Sequence, residues 1–324
     1  MPKVSQCPGM EEQDSMSVLD QLPFQLVSWD DFDRIYPYTS AYGEGSCQHS
    51  PVSMASLTEK YGDSVCILDG FLYTLRSRLC DEKYRVYLAP LGVGDTAEAF
   101  GRVLADARSY GKRVRFITLT ELSAARLQEA FPGKFEIRER RDLAEYFYKS
   151  ETMGFFPGGG LKKRRNEVNS FWKHYGERAA VTRITPADHA DILRFEKLWL
   201  TDNSGTHDMA ALQRESRMIE SQLMNFDKMH LSGIVLRIDG QVYGFGYGTK
   251  LNDTCYDAIA EKGDRSVPHI YKVLRQEAVK QCALDCIWVN VEEDLGIQGL
   301  RELKFAYHPE YLLRKFIATE REEP

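Results

Sequence analysis

The sequence predicts an α/β (α+β) fold made of two units in tandem, each a mixed, mainly antiparallel sheet flanked by helices. Three observations predict it. A chain of 324 residues exceeds what one hydrophobic core ordinarily serves, which favours two domains. Strand-like runs alternate with helical runs along both halves. Near the start, "FQLVSWDDFDRI" is echoed roughly 155 residues later by "AVTRITPADHADIL", a weak internal repeat.

In the first half, strands are predicted from Val65, in "VCILDGFLYTL" and then "YRVYLAPLG". A helix over 96–110 follows, with Phe100, Val103 and Leu104 apolar. Then come the strand "RVRFITL", a helix over 121–131, the strand "KFEIRE" and a strongly helical stretch over 161–175. We place the boundary near Gly176, giving units 1–176 and 177–324, with the basic helix 161–175 at their seam. The second unit opens with a β-rich run that reaches Thr185 as N-cap, Pro186 as first helical residue and Asp188 in the first turn. Helices to about Phe226 lead into "LSGIVLRI", the Asp239-Gly240 turn, "QVYGFGYGTKL" and "DTCYDAIAEK", a three-strand antiparallel meander. A helix over 267–283, the strand "CIWVNV", a helix over 296–306 and the closing run "YLLRKFIA" complete the chain.

Composition narrows the function. Hydrophobic residues at 43% suffice for ordinary cores, and a net charge of −6 argues against a dedicated DNA-binding protein. A local basic patch on such a chain can still meet a phosphate-bearing ligand. Seven cysteines, odd in number and without a CxxC pair, suggest neither a disulfide framework nor a metal site. The first sixteen residues lack an apolar signal core, and no run approaches the roughly eighteen apolar residues that would span a bilayer. A soluble, cytoplasmic protein is expected, with transient contact to a membrane surface left open.

The order strand, two helices, three strands, helix, strand, helix, strand in the second half is the layout of a GNAT-type acyltransferase domain. Three stretches, "LKKRRNEVNSFWKHY", "EKGDRSVPHIYKVLRQEAV" and most specifically "VNVEEDLGIQGLRELKFAYHP", resemble the soluble members of the family named for the C-terminal domain of phosphatidylglycerol lysyltransferase. The resemblance spans nearly the whole chain. It implies tandem GNAT-like domains related to the Fem-type transferases, which move amino acids from aminoacyl-tRNA onto peptidoglycan precursors. The activity it implies is acyl transfer from aminoacyl-tRNA to the amine or hydroxyl of a small-molecule or peptide-like acceptor, with no permanently bound cofactor. Acyl-CoA is the alternative donor, and a non-catalytic module binding an anionic metabolite is the third reading.

The residues themselves offer several candidate sites. "GFFPGGGLKKRRN", residues 154–166, places glycines before four cations, but a nucleotide P-loop needs Lys and Ser/Thr where Gly160 and Leu161 stand. At 100° per residue Leu161, Val168, Phe171, Trp172 and Tyr175 share one arc, with Arg164 and Arg165 in or beside it. Burying guanidiniums unpaired costs several kcal/mol, so Arg164, Arg165 and the adjoining Asn166 are candidate substrate contacts, the alternative being an interdomain salt bridge. Lys162 and Lys163 are read as solvated charge.

Lys304 poses the same problem on the apolar side of its helix, near Ile297, Leu300, Leu303 and Tyr307. Fem-type enzymes carry a similar "K-F" lysine tied to substrate, which implies an anion-binding role for Lys304, helped by Arg301. A structural pair with Glu292 or Asp294 is the alternative. Glu292, Glu293 and Asp294 lie where "CIWVNV" ends, the place where open α/β sheets put ligand-contacting groups. Glu292 is the candidate base, Asp294 a substrate contact and Glu293 a capping residue of the turn. Tyr307 and His308 are candidate general acids, although His308 before Pro309 reads equally well as a turn residue. Gly244, Gly246 and Gly248 leave one strand face without side chains, so a cofactor can approach near Gly246. The pyrophosphate-like spacing of Gln241, Gly244 and Gly246 is rejected because it lies inside a hairpin. The loop "KGDRSVP" is the proper equivalent, with Arg265 and Ser266 as its favourable groups, while Asp264 repels phosphate and Pro268 removes a donor.

Overall fold

The structure, a computed structural model, describes residues 21–203 and 209–322. The first half runs β1 (Gln25–Leu26), α1 (Phe32–Tyr42), α2 (Pro51–Tyr61), β2 (Asp63–Leu68), β3 (Phe71–Arg76), β4 (Tyr84–Tyr87), β5 (Leu91–Gly92), α3 (Thr96–Ser109), β6 (Arg113–Leu119), α4 (Glu121–Ala130), β7 (Phe135–Glu139), β8 (Glu145–Lys149), α5 (Ser150–Phe155) and α6 (Lys162–Tyr175). The second runs β9 (Ala179–Arg183), α7 (His189–Asp202), α8 (Met209–Met224), β10 (Ser232–Ile238), β11 (Gln241–Asn252), β12 (Cys255–Gly263), α9 (Ile270–Cys282), β13 (Trp288–Glu293), α10 (Gln298–Phe305), β14 (Tyr311–Leu313) and β15 (Phe316–Glu320).

Local chemistry sets several of these ends. Asp95 accepts from the backbone N–H of Ala97 and Glu98 to start α3, and Thr120 closes a capping box with Ser123 on α4. Ser50 caps α2, Pro51 opens it and Gly62, at φ +64°, ends it. Thr185 and Asp188 form a second capping box, but around a single tight turn over Pro186–Asp188, after which α7 begins at His189.

Two mixed sheets result, each flanked by helices, as the GNAT-like layout predicts. The first orders its strands β1-β2-β3-β4-β6-β15-β7, with β5 on β3, and the second β14-β8-β13-β12-β11-β10-β9. The two halves exchange strands. Strand β8 leaves the first half to lie between β13 and β14, and β15 returns from the second half to lie between β6 and β7. The closing run read as one strand is therefore two, in different sheets, divided at Arg314-Lys315. Buried Lys315 reaches the equally buried Glu145 at 2.8 Å there, which pins the crossover.

The cores form three layers of packing. Side chains of α3 and α4 cover one face of the first sheet, including Phe100, Leu104 and Leu127. Helices α1 and α2 and helices α7 and α8 share one core with both sheets, joining Ile35 and Val52 to Phe195, Leu223 and Phe245. The outer face of the second sheet is covered by α5, α6 and α9. This corrects the placement of the basic helix at the seam between the halves. Val168 and Phe171 seal against the α9 side chains Val273 and Leu274, so α6 lies on the far side of the second sheet.

Candidate active site at the gap between β12 and β13

Strands β12 and β13 run parallel and stay paired for three residues, from Cys255 opposite Trp288 to Asp257 opposite Asn290. Strand β12 then continues to Gly263 on its other partner, β11, and the two strands part. The opening is a cleft of about 340 Å³ that reaches both faces of the sheet, lined among others by Glu215, Gly246, Glu261, Arg275, Glu292 and Lys304. Gly246 is not required by the packing there, since a Cβ at that position would make only an ordinary contact with the carbonyl oxygen of Ala260, at 3.4 Å.

Carboxylates dominate this cleft. Glu261 is held by Arg275 at 3.0 and 3.3 Å, and Glu215 of α8 receives Lys262 at 2.8 Å. Burial, and next the charge of Glu293, push the Glu292 carboxyl up to about 8, while Lys304 opposes the rise. Behind it Asp257 is fully buried, and neither of its oxygens meets a donor among the described residues. Burial, and next the charges of Glu292, Glu145 and Glu293, raise its pKa strongly. A carboxyl in that setting keeps its proton.

Glu293 turns the other way. Its oxygens accept from the Gln48 side-chain amide at 3.3 Å and the Cys47 thiol at 3.7 Å, which ties the end of β13 to the first half. Next to it Glu145 collects Lys315, the Ser46 hydroxyl at 2.8 Å, the Cys47 N–H at 3.1 Å and the Asn290 amide at 2.6 Å. Burial pushes the Glu145 pKa up, but Lys315, Asn290 and Ser46 together outweigh it and hold the carboxyl below its ordinary value.

Of the residues singled out in the sequence, Glu292, Lys304 and Gly246 meet in this cleft. Lys304 is 6% exposed, and its ammonium donates to the carbonyls of Val291, Glu292 and Glu293 at 2.5, 3.0 and 2.6 Å. Neither carboxylate pairing anticipated for it is seen. Asp294 and Arg301 bind each other instead, at 2.9 and 3.1 Å, and Asp294 also accepts from Tyr146 at 2.6 Å and Arg141 at 3.2 Å. Burial favours the neutral acid, but these donors hold Asp294 well below the usual carboxylate range. The pair fastens α10 to the end of β13.

The α6 cations lie elsewhere. Arg164 pairs with Glu167 at 3.1 Å and sits 5.3 Å from the ring centre of buried Tyr307. Arg165 donates to the carbonyls of Phe156 and of Gly158 in the glycine turn. Their expected direction toward the seam is corrected accordingly, because local carbonyls and Glu167 satisfy them. Asn166 is exposed. Tyr307 has Arg275 4.9 Å from its ring centre, and its pKa is raised by burial against the pull of that cation. His308, at φ +55°, is an exposed turn residue whose Nε2 would lie 3.2 Å from a Cβ at Gly160. Arg265 and Ser266 are exposed in the loop before α9, outside the cleft lining, and the Ser266 N–H is taken by Asp264 at 2.8 Å.

A larger groove of about 740 Å³ runs between α1 and the end of α9. Its cations are matched locally, Lys250 by Asp285 and Arg183 by the carbonyl of Gln281. The gap at β12 and β13 instead presents the raised Glu292 carboxyl, with the unpartnered Asp257 behind it. The sequence reading passed over Asp257, Glu261 and Arg275. Their signal was available: Asp257 interrupts the apolar run from Cys255 to Ala260, Glu261 follows it directly, and Arg275 interrupts the apolar side of α9.

Among the described residues no helix is long and apolar enough to cross a membrane. The family model described as phosphatidylglycerol lysyltransferase, C-terminal, matches residues 41–319. A crystal structure of a conserved protein of unknown function from Bacteroides thetaiotaomicron is 26% identical and superposes with a TM-score of 0.86, covering 93% of this chain and 100% of that one. The C-terminal domain of a putative lysylphosphatidylglycerol synthetase from Agrobacterium fabrum shares the fold at 12% identity and a TM-score of 0.64, covering 90% and 92% of the two chains. An uncharacterized protein of Mycoplasmoides gallisepticum is 21% identical over 244 residues, which is 75% of this chain and 77% of that protein.

Proposed function

The chain belongs to the family of phosphatidylglycerol lysyltransferase C-terminal domains, and from that premise we propose that it transfers an aminoacyl group, carried as an ester on tRNA, to an amine or hydroxyl in the gap between β12 and β13. The observation that carries this reading is the Glu292 carboxyl, raised to about 8 by burial beside Glu293 at the edge of an open cleft. A base of that strength matches the proton it must take from an attacking amine, whose own pKa lies near 8. As the nucleophile forms its bond to the acyl carbon, Glu292 accepts its proton. As the ester C–O bond breaks, that proton passes to the departing ribose oxygen. Positioning supplies much of the remaining acceleration.

The electrostatics favour an aminoacyl donor over acyl-CoA. Within the cleft Arg275 is committed to Glu261 and the donors of Lys304 to main-chain carbonyls, so the groups left to meet a ligand are carboxyl oxygens, which suit the ammonium of an amino acid. The loop before α9 is poorly equipped for a pyrophosphate: Pro268 lacks an N–H, the Ser266 N–H is taken, and His269 caps the helix at φ +67°. The basic surface of α6, with exposed Lys162 and Lys163, is where we place the approach of the RNA backbone.

Transfer of a labelled amino acid from a set of aminoacyl-tRNAs to amine acceptors tests the reading. Glu292→Gln should lower kcat by about 10²–10⁴-fold and remove the limb of the pH profile near 8. Micromolar binding of acetyl-CoA, together with acetyl transfer that survives Glu292→Gln, would overturn it.

A further inference from the structure

Strand β13 does not end as an ordinary strand. Asn290 pairs with Phe147 of β8, and the next registered pair is Glu293 with Glu145, so two residues of β13 lie between paired positions that leave one on β8. Such a bulge adds a residue and re-aims a side chain. The rotation is visible in the contacts. Asn290 reaches the Gly45 carbonyl at 2.9 Å, and Glu293 reaches Gln48 on the same side of the sheet, although three positions separate them. The residue that absorbs the change is Glu292, at φ +54°, a backbone region that a non-glycine residue adopts only under constraint. Its carboxyl is thereby turned into the cleft, away from the polar cluster at Glu145.

The constraint comes from α10. Turning the backbone at Glu292 brings three consecutive carbonyl oxygens, of Val291, Glu292 and Glu293, to one point, and the Lys304 ammonium occupies that point with one donor to each. Three hydrogens and three acceptors leave no N–H for a substrate anion. The Lys304 carbonyl in turn accepts from the Tyr148 hydroxyl at 2.8 Å, and Arg301 and Asp294 fix the other end of the same helix.

We propose that Lys304 is a positioning residue: its ammonium clasps the carbonyls of Val291, Glu292 and Glu293 and so holds the bulge that presents the Glu292 carboxyl to the cleft. The proposal rests on the proposed role of Glu292 for its functional meaning, while the clasp itself is a property of the fold. It replaces the expectation that Lys304 grips an anionic group of the substrate.

Hydrogen–deuterium exchange on Lys304→Met tests the clasp without any substrate. Amides over 290–296 should exchange at least about tenfold faster than in the wild type, the scale of one charge-assisted hydrogen bond, while β10 and β11 stay protected. The Glu292 titration gives a second readout, followed by NMR on ¹³C-carboxyl glutamate and assigned with Glu292→Gln. Removing a nearby cation alone would raise its pKa, whereas releasing the bulge into solvent lowers it toward the ordinary range, so a downward shift supports the clasp. Lys304→Arg keeps the charge but cannot seat a planar guanidinium where three carbonyls converge, and it should show the same faster exchange; it decides the matter if Lys304→Met does not fold. Unchanged exchange over 290–296 in a folded variant, or an upward shift of Glu292, would overturn the proposal. An inactive wild-type protein with an intact exchange result would count against the transferase reading and leave the clasp standing.

Discussion

Replacing Asp257 by Asn should make the protein more stable, and increasingly so as pH rises. The side chain is fully buried, neither oxygen meets a donor among the described residues, and burial with three neighbouring carboxylates raises its pKa well above the usual value. At neutral pH the folded protein therefore holds a proton on Asp257, whereas the unfolded chain releases it near pH 4. Above that point the unfolded state binds fewer protons, and wild-type stability falls by up to about 1.4 kcal/mol per pH unit for this group. By pH 7 the accumulated loss is about 4 kcal/mol, a figure set by the unfolded pKa and the pH and not by how high the folded value lies. Asn is nearly isosteric and has no proton to retain, so it escapes the loss while keeping the same unpartnered setting. Urea unfolding of both proteins from about pH 4 to about pH 8 measures it. The difference should be small at the acid end and widen with pH until Asp257 ionises in the fold. Glu145, Glu292 and Glu293 are present in both proteins, so their titrations largely cancel. A variant less stable by a constant amount at every pH would refute the reasoning, because it would mean that Asp257 is ionised and partnered.

Lys315→Met should cost about 3–5 kcal/mol by strnding the buried Glu145 carboxylate, and thermal unfolding should show the deficit shrinking in acid, where a protonated Glu145 needs no counter-charge. Asp294→Asn should cost about 2–3 kcal/mol, since Arg301, Arg141 and Tyr146 all donate to this carboxylate. The Asp294 pKa is depressed, so its contribution is present above about pH 4 and lost as pH falls through the folded value; the gap between variant and wild type should close in acid.

Most of the framework was legible because its determinants are local. The periodicity of 161–175 gave α6 to within a residue, and the meander after Phe226 followed from alternating strands and an Asp-Gly turn. The exchange of β8 and β15 was not legible, because sheet membership depends on partners far away in sequence: "YLLRKFIA" has strand character throughout, and nothing in it says that Lys315 will be drawn to Glu145. At the site, burial of Lys304 was foreseen, although Ile297 and Leu303, read as sharing its buried side, are exposed. Its partners were not, since a cage of carbonyls follows from the left-handed turn at Glu292, a position held by tertiary contacts and not by its residue type. The direction of Arg164 and Arg165 failed for a related reason, because long side chains reach whatever acceptors the neighbouring turn leaves open.

The return of β15 to the first sheet also bears on how the chain is made. Domains of a growing chain commonly fold in the order of their synthesis, each closing its core before the next emerges. Here β15 is an interior strand of the first sheet, between β6 and β7, yet it is translated after every other described element. Until it arrives, β6 and β7 each present an unpaired edge, and Phe116 and Phe135 lack the cover that buried Ala318 and its neighbours provide. The first sheet therefore cannot close until β15 joins it, which couples completion of the amino-terminal core to synthesis of a strand that follows the whole second sheet.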